Sequence, residues 1–536
     1  MGMIRTKNRV YDIIKAILVM VVMIWNVLAN SQSTALEFNV LEFGAIQSTE
    51  VPSSKAIQSA IDSCYFSGGG IVYMPAGEYC SGTIVLKDNV TLWLAEGAVL
   101  NASRDINEYR MPLEDAIRPV LIYANGASNI GISGQGKIKG NAQHTYEDLR
   151  ETDKFIEEWT ENARKSGVEM KRYYIVKPDV GLVTLSKCKG INVRNVSIIE
   201  SSHWSLHMIR CADITITGVT VKSNLDKGVN ADGIDINSCQ RVVIKDCVVS
   251  TGDDGIVLKS LYEEPCEEVL VSNCTVSSSS TALKLGTESV GDMRHIRFEN
   301  CNIPTTNRGL SIVVRDGGKV EDVVFSNITM NCSRRHFNWW GDGDPIWIYL
   351  TKRLSKTKVG SIDNVVFENI TALGMGTSRI ESTEEEQIHN IKLINVKFMM
   401  DVENEPDKRA DHALYAKNVE GLSLQNLEIH WNENDLEEKW RSALVVEDCR
   451  KVDVTNFYGR QGIKQSIFPV IEFKHVSESK IDNIRFMEGT NLGVKIGGER
   501  SRNIDIFNID RVGVSTTPVF FDEDVNHESN MEIRLD

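Results

Sequence analysis

The sequence predicts an all-β chain wound as a right-handed parallel β-helix, a solenoid with an N-terminal capping helix. Three observations carry this. Segments 230–236, 252–258, 280–285 and 307–312 repeat one pattern in steps of 22, 27 and 27 residues. They place Gly233, Gly255, Ala282 and Gly309 in one column and Ile234, Ile256, Leu283 and Leu310 in the next. Fragments of the form apolar-x-apolar-x-Asn recur along the chain, with Asn273, Asn300 and Asn327 each 27 apart. They alternate in the strand period of two, and an Asn at a fixed bend bonds backbone groups and tolerates unusual φ. Finally, Cys247, Cys274 and Cys301 are 27 apart, and Cys211, Cys239 and Cys266 are 28 and 27 apart. Such cysteines read as columns of buried small hydrophobes, with an occasional bridge between coils left open. A β-sandwich of many short strands would not keep a repeat of constant phase.

From the N-terminus, Arg5, Lys7, Arg9 and Lys15 precede an apolar run from Ala16 to Leu28 broken by Asn26, followed by Ala29-Asn30-Ser31. This resembles a secretory signal peptide over 1–29, cut after Ala29, with a retained signal anchor as the alternative. The mature chain is expected to be secreted or periplasmic and to sit off the membrane. Residues 36–536 then read as a single solenoid, since such folds grow by adding coils. In 54–64, Ala56, Ile57, Ala60 and Ile61 share one helical face, a cap over the apolar end of the solenoid. Gly68-Gly69-Gly70 ends it, and a strand Ile71 to Met74 follows.

Two insertions interrupt the coils. Residues 144–172 are charged and helix-prone, either a solvated decoration or a contact to substrate. The step from Asn327 to Asn369 is 42 residues, about 15 too long, and holds an insertion near 331–347 with Trp339 and Trp340. Those rings suit stacking on sugar faces, or packing of the insertion on the solenoid. A net charge of −15, from 74 acidic and 59 basic residues, argues against nucleic acid or anionic membrane as partner. No zinc spacing or cofactor motif is seen, and a monomer is expected.

The column argument places Asp232 and Asp254 one coil apart, with Asp253 beside them. Asp-Gly pairs usually mark turns, but three acids converging across two coils suit acid–base work. Hydrolysis of a glycosidic bond needs one acid to protonate the leaving oxygen and a base to activate water, and crowding keeps one carboxyl protonated. With Ile234 and Ile236 inward, Asp235, Val257, Lys284 and Ser311 point outward. His207 lies one coil from Asp235, Arg308 shares the column of the acids, and Arg315 follows. All are candidate substrate contacts, Lys284 foremost, with pairing to Asp235 or Glu288 as its alternative.

Most of residues 37–460 resembles glycoside hydrolase family 28, the polygalacturonase-like, pectin-degrading β-helix enzymes. The openings Phe38 to Ala45 and Gly68 to Gly77 and the segment Ser202 to His207 are similar to the family. Asn230-Ala231-Asp232 resembles its Asn-x-Asp element, and Gly252-Asp253-Asp254 its Gly-Asp-Asp element. The resemblance implies that Asp253 is the general acid, that Asp232 and Asp254 activate the water, and that the anomeric centre is inverted. Asn230 would be a substrate contact, and the partner a pectic polysaccharide or oligosaccharide of galacturonan or rhamnogalacturonan type. The family's Gly-His-Gly element falls on Ser280-Thr281-Ala282 and its Arg-Ile-Lys element on Ser311-Ile312-Val313, so the histidine and both cations are absent. A polysaccharide lyase on the same fold, or a non-catalytic carbohydrate-binding β-helix, are the rival readings.

Overall fold

A computed structural model describes residues 36–142, 146–148, 154–168, 174–335, 341–510, 514–525 and 531–534. The segment read as a signal peptide lies outside the described residues. Among those residues, no helix is long and apolar enough to cross a membrane.

Three parallel ladders run the length of the coils. The first climbs through Gly181–Ser186, Leu206–Ile209, Ile234–Asn237 and Ile256–Ser260, and on through Ile346–Leu350, Ser378–Ser382, Leu414–Lys417, Leu444–Glu447, Pro469–Lys474 and Thr490–Gly497. A second contains Ala212–Thr217, Gln240–Lys245 and Cys266–Ser272, and a third Thr220–Ser223 and Val248–Thr251. In Thr275–Ser289 and Asn302–Val314 the strand continues through the bend between the third ladder and the first. Strand order follows chain order, coil upon coil, as in a right-handed β-helix.

Alternation explains why these residues stack. Inward positions are apolar and buried, so each coil covers the face its neighbour exposes. Phe298, Phe325 and Phe367 occupy one register column and stack at 4.9 and 5.0 Å. All eleven cysteines are buried and free, so no bridge crosses the coils. Burial holds the Cys266 thiol at a pKa of about 12, far from a reactive thiolate.

The Asn bends form a ladder of their own. Asn300, Asn327, Asn369, Asn395, Asn426, Asn456 and Asn483 all have φ between 54 and 57°. The side-chain amide of each later member donates to the side-chain oxygen of the one before it, at 2.6–3.0 Å. Left-handed backbone costs an ordinary residue roughly 1–2 kcal/mol, and Asn offsets it through these bonds.

The N-terminal end is closed by helix α1, Ser54–Phe66, which buries Ile57, Ala60, Ile61 and Cys64. It runs two residues past the expected end. Helix α2, Lys154–Lys165, lies in the first insertion, between strands Tyr146–Asp148 and Tyr174–Val176 that pair antiparallel.

The ladder can be tested at one rung. Asn327→Ala removes two inter-coil bonds and leaves a residue at φ 54°. Urea unfolding should show a loss of about 1–2 kcal/mol, whereas Asn327→Gly, relieved of the strain, should lose less.

Candidate active site

The turn leading into the first ladder holds the acids. Asp232 and Asp254 each stand two residues before a paired apolar position, Ile234 and Ile256. The N–H of Gly233 donates to the carbonyl of Asp254 at 2.9 Å, and that of Gly255 to Thr281 at 2.8 Å. A Cβ at Gly233 would come within 2.4 Å of the Gly255 carbonyl, and one at Gly255 within 2.6 Å of that of Ala282. The small column therefore exists because successive turns press against one another, which also seats the carboxylates.

Four carboxyl groups cluster there, and three of them share two ammonium groups. Lys259 Nζ lies 2.9 Å from Asp232 Oδ2 and 2.8 Å from Asp235 Oδ1, with the Trp204 ring centre 3.9 Å from the same nitrogen. Lys284 Nζ lies 2.6 Å from Asp254 Oδ2. The other Asp254 oxygen accepts from Ser280 Oγ at 2.8 Å and from the Thr281 N–H at 3.3 Å. Asp253 Oδ1 accepts only the N–H of Asp254, at 3.0 Å. All four carboxyls are buried.

Electrostatics separates them. Burial pushes Asp253 well above the usual carboxylate range, and the charges of Asp232 and Asp254 push it further. Burial also raises Asp254, but Lys284, Lys259 and the bond from Ser280 outweigh it, so this carboxyl sits low and ionised. Burial, with help from the neighbouring carboxylates, leaves Asp232 and Asp235 raised even though Lys259 lowers both. Lys259 itself is buried yet held firmly charged by Asp232 and Asp235.

Asp235 pairs in register with His207 and Val257, outward from the core as alternation requires. It is nonetheless 0% exposed, because Lys259 folds over it, so as described it does not face solvent. Lys284 is engaged with Asp254 rather than with Asp235 or Glu288. Arg308 does stand beside Thr281 in the column of the acids, but its guanidinium pairs with Asp344 and stacks 3.4 Å from the Trp347 ring centre. Arg315 follows directly after the end of that strand at Val314, and its Nε is buried and unbonded among the described residues. His207 is buried edge-on to Trp204 at 4.6 Å; desolvation, with Lys259 nearby, drops its pKa to about 3, so the ring is neutral. Asn230 is half-buried in the turn before Asp232. Trp339 and Trp340 lie outside the described residues. The first insertion reaches this turn through Tyr174, whose ring centre is 4.8 Å from Lys227 Nζ.

Sequence reasoning missed Lys259, Ser280, Trp204 and Asn307. Lys259 had a signal: it is two residues beyond the outward Val257, in register with Asn237. Asn307 stands three residues before Leu310, as Asp253 does before Ile256, and both amide atoms are buried and unbonded. Only the fold shows that.

Removing one member of a buried ion pair costs about 3–5 kcal/mol. Lys259→Met should lower unfolding free energy by that order and abolish most activity. Adding Asp235→Asn should restore part of the stability, and a double-mutant cycle with no coupling would rule out the Lys259–Asp235 pair.

A family model described as glycosyl hydrolases family 28 matches residues 74–404. A probable polygalacturonase of Vitis vinifera is 27% identical over 241 residues, 42% of this chain and 45% of that protein. An exo-poly-alpha-D-galacturonosidase of Dickeya chrysanthemi is 24% identical over 253 residues, 41% of each chain. The chain thus spans less than half the length of these curated relatives. The solved exopolygalacturonase of Thermotoga maritima shares the fold, with a TM-score of 0.57 and 22% identity over 74% of this chain and 92% of that one. With the match covering well over half of its length, the chain belongs to glycosyl hydrolases family 28.

Proposed function

We propose that the protein is an inverting glycosidase that cleaves α-linked, galacturonan-type pectic chains, with Asp253 as general acid and Asp254 and Asp232 as the water-activating pair. One observation carries this reading: of the four clustered carboxyls, Asp253 is the one without an ammonium contact among the described residues. Family membership and the names of the relatives support the substrate class.

The chemistry follows from that asymmetry. Protonated Asp253 gives its proton to the glycosidic oxygen as the bond to the anomeric carbon breaks. Asp254, held ionised, takes a proton from a water on the opposite face, and Asp232 Oδ1, buried and unbonded, is a second acceptor for that water. Lys259 and Lys284 hold the bases in place and limit the negative charge that builds up.

The substrate grip differs from the family pattern. Ser311 and Val313 are buried and uncharged where Arg and Lys would grip a uronate, and Ser311 Oγ has no partner. Lys284 remains the candidate clamp: an ammonium has three donors, and a sugar carboxylate beside Asp254 could accept one. The same cation then sets the base and reads the substrate.

Three measurements test the reading. Asp253→Asn should keep the fold and lower turnover by about 10²–10⁴-fold, since an amide cannot donate the proton. Proton NMR of the first-formed product should show the inverted anomer; a retained one would remove Asp232 and Asp254 from the base role.

The pH profile separates the two limbs. Activity needs Asp253 protonated, so the rate should fall as pH rises through its raised pKa. It needs Asp254, the proton acceptor, ionised, so the rate should fall as pH drops through its lowered pKa. Lys284→Ala removes the group that lowers Asp254, so the acid limb should move to higher pH and the bell should narrow. An unmoved acid limb would show that Asp254 is not the titrating base.

A further inference from the structure

The corner of the solenoid that carries the acids is used a second time, near the C-terminal end. Asp253 stands three residues before Ile256 in the first ladder; Arg441 stands three before Leu444, and Phe468 three before Ile471. His412, two before Leu414, corresponds to Asp254. From the coil of Asp253 to that of Arg441 there are six steps along the ladder, about 29 Å at ~4.8 Å per coil. The outward column that holds Asp235 and Lys284 continues without a break through Ser311, Trp347, Arg379, Tyr415, Val445, Glu472 and Lys495 to Phe520.

At this far corner lies a cleft of about 500 Å³ between Arg441, Phe468, Glu472, Lys495 and Phe520, with His412 at its edge. Its charges are unevenly used. Lys495 is taken by Asp522 at 2.7 Å and Glu472 at 3.6 Å, and Asp411 lies near Arg379 at 3.6 Å and His412 at 3.7 Å. Arg441 is exposed and has no carboxylate partner among the described residues; its guanidinium lies 5.2 Å from the Phe468 ring centre. Phe520 is 43% exposed and Ile467 81%. A guanidinium without a carboxylate partner among the described residues, beside the half-buried Phe468 and the exposed Phe520, matches a ligand with an anionic group on an apolar-faced ring. Six ladder steps separate this corner from the catalytic one, and residues 405–536 lie beyond the family match.

We infer that the cleft around Arg441 and Phe468 is a second carbohydrate site, which binds a uronate-bearing stretch of a chain too long to be held by the catalytic corner alone. The sugar carboxylate pairs with Arg441, and a pyranose face lies on Phe468 or Phe520. The catalytic reading supplies the substrate class on which this inference rests.

Binding is measured on the uncleaving Asp253→Asn protein by calorimetry, with trigalacturonate and with polygalacturonate. A trimer is too short to bridge the two corners. Adding Arg441→Ala and Phe468→Ala should lower the ratio of polymer to trimer affinity by about 10-fold or more, as expected for loss of a charge-assisted bond. Arg441→Lys should recover part of the loss. An unchanged ratio with both variants folded overturns the second site, even where the wild-type protein cleaves the polymer. Polymer binding that depends on Arg441, in a wild-type protein that cleaves no pectic chain, supports the second site and removes the catalytic reading instead.

Discussion

Everything in this molecule depends on the in-register hydrogen bonding of one coil to the next. Because each coil pairs residue for residue with its neighbours, a spacing in the chain becomes a column in space about 4.8 Å per step. That constraint stacks Phe298 on Phe325 and Phe367, aligns the Asn amides at the bends, and sets Asp232 one coil from Asp254. It also removes the freedom that would let like charges drift apart. The carboxylates are crowded because the backbone does not yield.

Crowding alone would not assign roles. Four acids placed together would share protons without preference; two lysines break the symmetry. Lys284 and Ser280 fix Asp254 in its ionised form, Lys259 is divided between Asp232 and Asp235, and Asp253 is left to burial and repulsion. Buried ion pairs add little net stability, since desolvation offsets much of the attraction. Their value here is local: they set which carboxyl keeps a proton. Ser280, in the segment where relatives are expected to carry a histidine element, has become part of that arrangement.

The same corner of the coil changes character along the solenoid. At the acids it is charged and buried; six coils on, it holds a cleft with Arg441, which has no carboxylate partner among the described residues, the half-buried Phe468 and the exposed Phe520. Between them Arg308 is locked by Asp344 and Trp347, and Arg334 is buried against Glu403 and Asp407. These ion pairs tie the second insertion to the solenoid and to the loop before Leu414. Cations near the acids are thus largely committed to protein partners, which is why the absence of an Arg-Ile-Lys element matters for substrate grip.

Strand alternation and repeat length by themselves determined the β-helix, the columns of Asn and Cys, and the meeting of Asp232, Asp253 and Asp254. The helical spacing of apolar residues in 54–64 gave the capping helix. Those features depend on backbone geometry, and backbone geometry is periodic, so it is written in spacing. What only the tertiary structure decided is the partner of each charge. Lysine and arginine side chains are long and rotatable, so the column of Lys284 or Arg308 does not say which carboxylate it reaches. Alternation aimed Asp235 outward, yet Lys259 covers it; the cation that orders the site was visible only as one lysine among many. Ladder register is a property of the chain, whereas side-chain pairing is settled by which charges are buried together once the coils have closed.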